Sequence, residues 1–186
     1  LRLGQRGYNV RVLEARPDSR NVDISAGRSI NLAFSNRGLK AMKMVGIEDK
    51  VMKLCIPMHG RMLHDRDGNT KLSKYSGREG EYINSISREL LTALLMNEAE
   101  ALDNVSIKFN SKCDGVDFEN NTANFTNTEN GQIFDCTADL IFGTDGAGSA
   151  LRKSYFSERK FLFSFSQNFL THGYKELTIP PTENGT

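Results

Sequence analysis

Asp139-Leu140-Ile141-Phe142-Gly143-Thr144-Asp145-Gly146-Ala147-Gly148 is the stretch on which the fold turns. Its apolar run suits a short strand buried on both faces of a parallel sheet. Thr-Asp-Gly then stands at the carboxyl end of that strand, and a short helix opens at Ser149. Open α/β sheets bind ligands at this place, outside the carboxyl ends of their strands. Glycines there let the backbone come close to a phosphate or a sugar chain, and a helix start favours an anion. An ordinary strand-to-helix turn is the plainer reading of the same residues.

Working outward, residues 113–118, 122–126 and 132–136 alternate as three strands of a meander, with turns at Asn120-Asn121 and Asn130-Gly131. Residues 105–109 form a short strand. Ser87 caps a helix over residues 88–102, with Leu91, Leu94 and Leu95 at helical spacing. Residues 82–86 read as a strand. Residues 60–65 and 70–74 read as a hairpin around Asp67-Gly68. Pro57 breaks the pattern before it. Ser35 caps a helix over residues 36–45 that stops at Gly46, and a second short helix covers residues 48–54. Residues 29–33 are a short semi-apolar run. Residues 8–13 form a strand closed by Glu14-Ala15-Arg16-Pro17, and Gly7 ends a helix before it. Residues 172–179 make a last strand. The class is α/β.

The chain has 186 residues, 38% of them hydrophobic, which is enough for a core of ordinary domain size. A net charge of +1 gives no reason to expect nucleic acid. Its three cysteines form no paired motif, which points to a reducing, cytoplasmic setting and away from a disulfide framework or a zinc site. No apolar run reaches the ~20 residues that span a bilayer, and no signal peptide is visible. His59, His64 and His172 are scattered, without metal-ligand spacing.

Several residues are candidates for binding. In a dinucleotide fold the acidic residue ending the second strand bonds ribose hydroxyls, about 20 residues beyond a glycine-rich loop. Glu14 has that place, and the loop would precede Leu1. A solvated strand-end carboxylate is the plain alternative. Arg88 heads a helix, where a cation opposes the macrodipole. Arg61 stands on an otherwise apolar strand, and a guanidinium binds a carboxylate through two parallel bonds. From the residues alone, a surface ion pair suits Arg61 and core packing suits Tyr75.

The order of Glu14, Arg28-Ser29-Ile30-Asn31-Leu32-Ala33, Ile56-Pro57-Met58-His59-Gly60-Arg61-Met62, Ser87-Arg88, Gly143-Thr144-Asp145-Gly146-Ala147 and the run from His172 to Pro181 resembles the kynurenine 3-monooxygenases, a family of class A flavoprotein hydroxylases. The resemblance covers nearly the whole chain and takes in only the N-terminal part of a full member. It implies an FAD-binding Rossmann-like parallel sheet of the glutathione-reductase type with a β-meander crossover, and the start of an antiparallel substrate-binding sheet. Residues 1–54 and 87–155 would belong to the FAD-binding domain, and residues 55–86 and 156–186 to the substrate domain. It also implies that Glu14 and Arg16 contact the adenosine part of FAD, that Ala33 lies against the flavin, and that Arg88 contacts the cofactor. Cys113 falls at a backbone contact on the adenine side. Asp145 and Gly146 form a motif linked to both FAD and NADPH. Arg61 and Tyr75 match the pair that holds the carboxylate of L-kynurenine. NADPH and O₂ would be the co-substrates. Because the pyrophosphate loop would precede Leu1 and a second flavin motif would follow Thr186, the 186 residues alone are expected not to hold FAD. Two other readings stand beside this one: another aromatic or quinone-precursor hydroxylase of the class, and a nucleotide-binding module without turnover.

Overall fold

The computed structural model describes residues 1–21 and 31–173. Arg28, Ser29 and Ile30, and the expected last strand from Tyr174 onward, lie outside the described residues. In chain order the elements are α1 (Arg2–Gln5), β1 (Val10–Leu13), β2 (Asn31–Phe34), α2 (Asn36–Met44), α3 (Glu48–Met52), β3 (Ile56–Met58), β4 (Gly60–His64), β5 (Thr70–Lys74), β6 (Ile83–Ser87) and α4 (Arg88–Glu100). They continue with β7 (Val105–Lys108), β8 (Ser111–Asp117), β9 (Thr122–Asn127), β10 (Ile133–Thr137) and α5 (Ala150–Ser157). The described residues fall into two compact units, one of residues 1–10 and 31–105, the other of residues 11–21 and 106–173. Strands β1 and β7 pass from the first to the second. They pair in parallel: Val10 N–H donates to the Asn104 carbonyl at 2.8 Å and Glu14 N–H to the Lys108 carbonyl at 3.0 Å.

In the first unit β6 is the centre of a three-stranded antiparallel sheet, between β2 and β3. Successive side chains of a strand point to opposite faces. Ile86 and Asn84 therefore face inward with Leu32 and Phe34, their ladder partners on β2. That face closes on Ile47, Val51 and Leu91, with Leu39, Met42, Leu94 and Leu95 packed around them. The apolar spacing of α2 and α4 supplies these contacts, as the sequence predicts. Glycines end the helices as expected: Gly7 and Gly46 adopt φ of 86° and 76°, which costs a residue without Cβ little. The Ser87 hydroxyl caps α4, accepting from Leu90 N–H at 3.4 Å. Ser35 holds the N-cap position of α2, but its side chain accepts no bond from the helix. Pro57 sits inside β3 rather than ending the pattern, because a strand at the edge of a sheet tolerates a residue without N–H.

In the second unit β8, β9 and β10 form the expected meander. Asp117 and Asn127 close its two turns by accepting backbone N–H groups through their side chains. The β8 ladder slips between Cys113 and Gly115, leaving Asp114 as the extra residue of a bulge. Helix α5 packs on β8, where Ser154 Oγ accepts Val116 N–H at 3.0 Å. Residues 139–143 depart from expectation. They form no strand, and Leu140 and Phe142 are 68% and 64% exposed. An apolar run becomes a buried strand only beside other strands that take its N–H and C=O groups, and among the described residues none pairs with it.

Strands β4 and β5 make a separate hairpin in register, Gly60 opposite Lys74 and Arg61 opposite Ser73. A Cβ on Gly60 would lie 2.5 Å from the Ser73 carbonyl oxygen, a backbone atom that has no rotamer to escape into. Gly60→Ala is expected to force the hairpin apart at its base and to cost on the order of 1–3 kcal/mol. Hydrogen exchange of the β4 and β5 amides checks this: protection falls in the hairpin and stays unchanged in β6.

Candidate functional site

The site residues divide between the two units. In the second, Glu14 follows β1. Its Oε1 accepts Arg16 N–H at 2.9 Å and Arg16 Nε–H at 3.0 Å. Partial burial pushes the Glu14 carboxyl up, but the backbone and guanidinium bonds from Arg16 and its charge outweigh this and hold it below the ordinary 4.5. The Ala15 backbone N–H adds a smaller contribution in the same direction. Glu14 is thus an ionised strand-end carboxylate held mainly by Arg16. The Arg16 side chain is 85% exposed.

The Cys113 sulfur lies 3.6 Å from the Gly115 carbonyl, beside the bulge of β8. Burial pushes its thiol up, and the charges of Asp145 and Asp114 add to that, so at neutral pH it is a protonated thiol and no nucleophile.

Asp145 and Gly146 precede α5. Asp145 Oδ2 accepts Ala150 N–H at 2.7 Å and lies 3.4 Å from Leu151 N. Burial raises the carboxyl, but bonds from the Ser149 hydroxyl and from the backbone N–H groups of Ala150 and Leu151 outweigh it and hold it below the ordinary 3.8. Ser149 Oγ also accepts Arg152 N–H at 3.0 Å. The helix start is thereby filled by the chain's own carboxylate and hydroxyl. The expectation that it favours an anion is corrected, because the donors an anion would use are already taken. Gly146 has φ of 76°, and a Cβ there would meet nothing within 4 Å, so the loop leaves open space at that position. Arg152 donates to the Gly146 and Ala147 carbonyls and stacks over Phe165, 4.3 Å from its ring centre.

In the first unit the hairpin brings Arg61 and Tyr75 together. The Arg61 guanidinium carbon lies 5.5 Å from the centre of the Tyr75 ring, a cation–π arrangement. Tyr75 N–H donates to the His59 carbonyl, which fixes the ring just beyond the end of β5. Both expectations drawn from the residues alone are corrected here. Among the described residues no carboxylate pairs with Arg61, and Tyr75 is 38% exposed rather than packed in a core. Tyr75 also lines a cleft of about 600 Å³.

Ala33 stands on the open face of the β2–β6–β3 sheet, opposite Ser85. Asn31 and Ser87 pair beside them on that face. The face is therefore small and polar next to the exposed Ile56. Arg88 is exposed at the first position of α4.

Residues 1–161 match the family model described as FAD binding domain. The chain belongs to the FAD binding domain family. Kynurenine 3-monooxygenase of Myxococcus xanthus is 41% identical over 183 residues, 98% of this chain and 39% of the relative. Kynurenine 3-monooxygenase of Anopheles gambiae is 40% identical over all of this chain and 38% of its own length. The Dictyostelium discoideum enzyme of that name is 40% identical, again over all of this chain and 39% of its own. This FAD binding domain chain thus spans about two fifths of the length of these relatives. Two solved structures share its fold. The p-nitrophenol 4-monooxygenase PnpA of Pseudomonas putida superposes with a TM-score of 0.66 at 17% identity, over 83% of this chain and 39% of its own. The flavin-dependent monooxygenase PieE, solved with FAD and substrate, gives 0.68 at 15% identity over 83% of this chain and 29% of its own.

Three features of this FAD binding domain chain are chemically compatible with such a cofactor: the ionised carboxylate of Glu14, the small residues around Ala33 and the open space at Gly146. Reading the sequence missed Ser85 and Asn84. The signal was present: in Ile83-Asn84-Ser85-Ile86 the two-residue period puts Ser85 on the face of Ala33 and Asn84 on the face of Ile86. Among the described residues no helix is long and apolar enough to cross a membrane.

Asp145→Ala is expected to fray the start of α5 and lower stability by on the order of 1 kcal/mol. The folded carboxyl titrates below its ordinary 3.8. Its contribution is therefore complete above that value and declines as the pH falls through the lowered one. Thermal unfolding against pH checks this: wild type and variant differ at neutral pH and converge in acid.

Proposed function

We propose that this chain is part of a flavoprotein monooxygenase that hydroxylates L-kynurenine to 3-hydroxykynurenine with FAD, NADPH and O₂. The observation that carries the reading is the Arg61 guanidinium set over the Tyr75 ring, with no carboxylate partner among the described residues. A charged fork left unpaired beside a hydroxyl donor suits the carboxylate of an amino-acid substrate. The kynurenine 3-monooxygenases at 40–41% identity support the same substrate. In a hydroxylase of phenols without an amino-acid carboxylate the pair would have nothing to hold.

In this reading residues 1–54 and 87–155 form the FAD-binding part, and residues 55–86 and 156–186 belong to the substrate domain. When bound, FAD supplies the redox chemistry, passing electrons from NADPH to O₂ so that one oxygen atom reaches the aromatic ring. The chain's own residues bind and orient. The Glu14 carboxylate accepts the hydroxyls of the adenosine ribose, with Arg16 beside it. The backbone at Cys113 contacts the adenine side. The flat ring system lies on the small face of Ala33, and Arg88 contacts the cofactor. Asp145 and Gly146 shape the loop that the cofactor and NADPH approach. Arg61 and Tyr75 set the register of the substrate by holding its carboxylate, and their grip positions the ring for attack. No side chain acts as a nucleophile.

Arg61→Ala in the intact protein is expected to weaken L-kynurenine binding by on the order of 2–3 kcal/mol, the scale of a charge-assisted bidentate contact. FAD content should not change. Arg61→Lys keeps the charge without the fork and should recover only part of the loss. Titration of each variant with L-kynurenine is the measurement, and equal affinities for wild type and Arg61→Ala would sink the reading.

A further inference from the structure

The hairpin that carries Arg61 and Tyr75 is joined to its sheet at two points. Among the described residues β4 and β5 pair with each other and with no strand of the β2–β6–β3 sheet, so no backbone ladder holds the hairpin against it. The chain itself makes the connection, once through His59 between β3 and β4, and once through the loop from Tyr75 to Tyr82 that leads into β6. These two connections are tied together. The His59 carbonyl accepts Tyr75 N–H at 3.0 Å as β5 ends. The His59 ring packs on the Tyr82 ring, with 5.3 Å between centres and 54° between planes. Between the tyrosines the loop closes on itself: Ser76 Oγ donates to Glu81 Oε2 at 2.5 Å, and Arg78 Nη1 to Glu81 Oε1 at 3.2 Å. His59 thus grips both ends of that loop, one by its backbone and one by its ring. Both rings are exposed, so their contact adds little to the core. What it fixes is the direction in which the hairpin leaves the sheet.

We propose that His59 is a positioning residue, whose ring, braced on Tyr82, holds the Arg61–Tyr75 pair at a fixed place relative to the sheet. This rests on the reaction proposed above. Arg61 and Tyr75 both ride on the hairpin, so a swing of the hairpin leaves the pair whole and moves it as one. In the proposed reaction the pair holds the carboxylate of L-kynurenine, while the substrate's aromatic ring lies by the flavin on the Ala33 face of the sheet. The two ends of one small molecule then bind to two parts of the protein. Each contact strengthens the other only when the distance between the parts matches the length of the ligand. A hairpin free to swing lowers the effective concentration of the guanidinium at the carboxylate, and it loosens the placement of the ring. His59 touches no substrate in this role and neither gives nor takes a proton.

The test compares two ligands on the intact protein: L-kynurenine, and the analogue with hydrogen in place of its carboxylate. The ratio of their dissociation constants measures the Arg61–Tyr75 contact. His59→Ala removes the ring and keeps the backbone carbonyl. It should weaken L-kynurenine about fivefold, the scale of one aromatic pair, and leave the analogue unchanged. Tyr82→Ala removes the same contact from the other side and should match it. The double variant should lose no more than either single one, because all three lack one and the same contact. His59→Phe restores a ring without an imidazole and should restore the ratio. Tyr82→Ala with His59→Phe keeps the test decisive if His59→Ala folds poorly. Equal losses for the two ligands, an unmoved ratio, or no rescue by His59→Phe would overturn the role of His59 while leaving the reaction standing. A wild type that binds both ligands equally well would overturn the carboxylate contact, and this assignment with it.

Discussion

The two-residue period of β6 governs the first unit. Because Ile86 and Phe34 must be buried together against Val51 and Leu91, the register of β2 on β6 is fixed. A slip of β2 by one residue would turn Ala33 into the core and Phe34 into solvent. The same burial that stabilises the sheet therefore decides which residues remain outside. Around Ala33 the open face is small, with Asn31, Ser85 and Ser87, while Ile56, Met58 and Ile83 leave apolar bulk on the same face toward β3. Asn84 is carried inward by the same alternation, at a place where an apolar residue would pack without cost. Burial of one face thus sets both a flat platform and an uncompensated acceptor, on opposite sides of one strand.

The turn before α5 follows a different rule. A helix start offers unpaired N–H groups to any acceptor within reach. Here Asp145 and Ser149 take them. A carboxylate seated on those donors both competes with a phosphate and repels it. What the loop still offers is the backbone around Gly146, open because no Cβ is present, and that suits close packing of a sugar or ribityl chain rather than capture of a charge. The Asp-Gly element is therefore a shaped edge and not an anion trap.

Where local chemistry decided the structure, the sequence was legible. The meander, the β4–β5 hairpin, the helix at Ser87 and the glycine stops all rest on turn residues, caps and spacing within a few positions. Residues 139–143 show the opposite case. Their composition is that of a buried strand, yet burial needs partners that no local signal supplies. Pro57 misled because an edge position, which makes it harmless, is a property of the sheet and not of the tripeptide. Arg61 and Tyr75 are separated by the whole hairpin, so their contact is invisible to spacing and emerges only from the register of Gly60 on Lys74. The inward position of Asn84 follows from its parity with Ile86 in the sequence.

The hairpin's attachment explains how an exposed pair can still be well placed. Only His59 separates β3 from β4, and its carbonyl receives Tyr75 N–H as β5 ends. His59 packs its ring against Tyr82 at 5.3 Å, just before β6 begins. The pair is thus fixed at its base to both outer and central strands of the sheet, while its charged tip stays solvated. The guanidinium is exposed and hydrated, and the ring beneath it limits the orientations it can take. A buried arginine would have needed a protein partner to offset its desolvation, whereas an exposed one over a ring needs none.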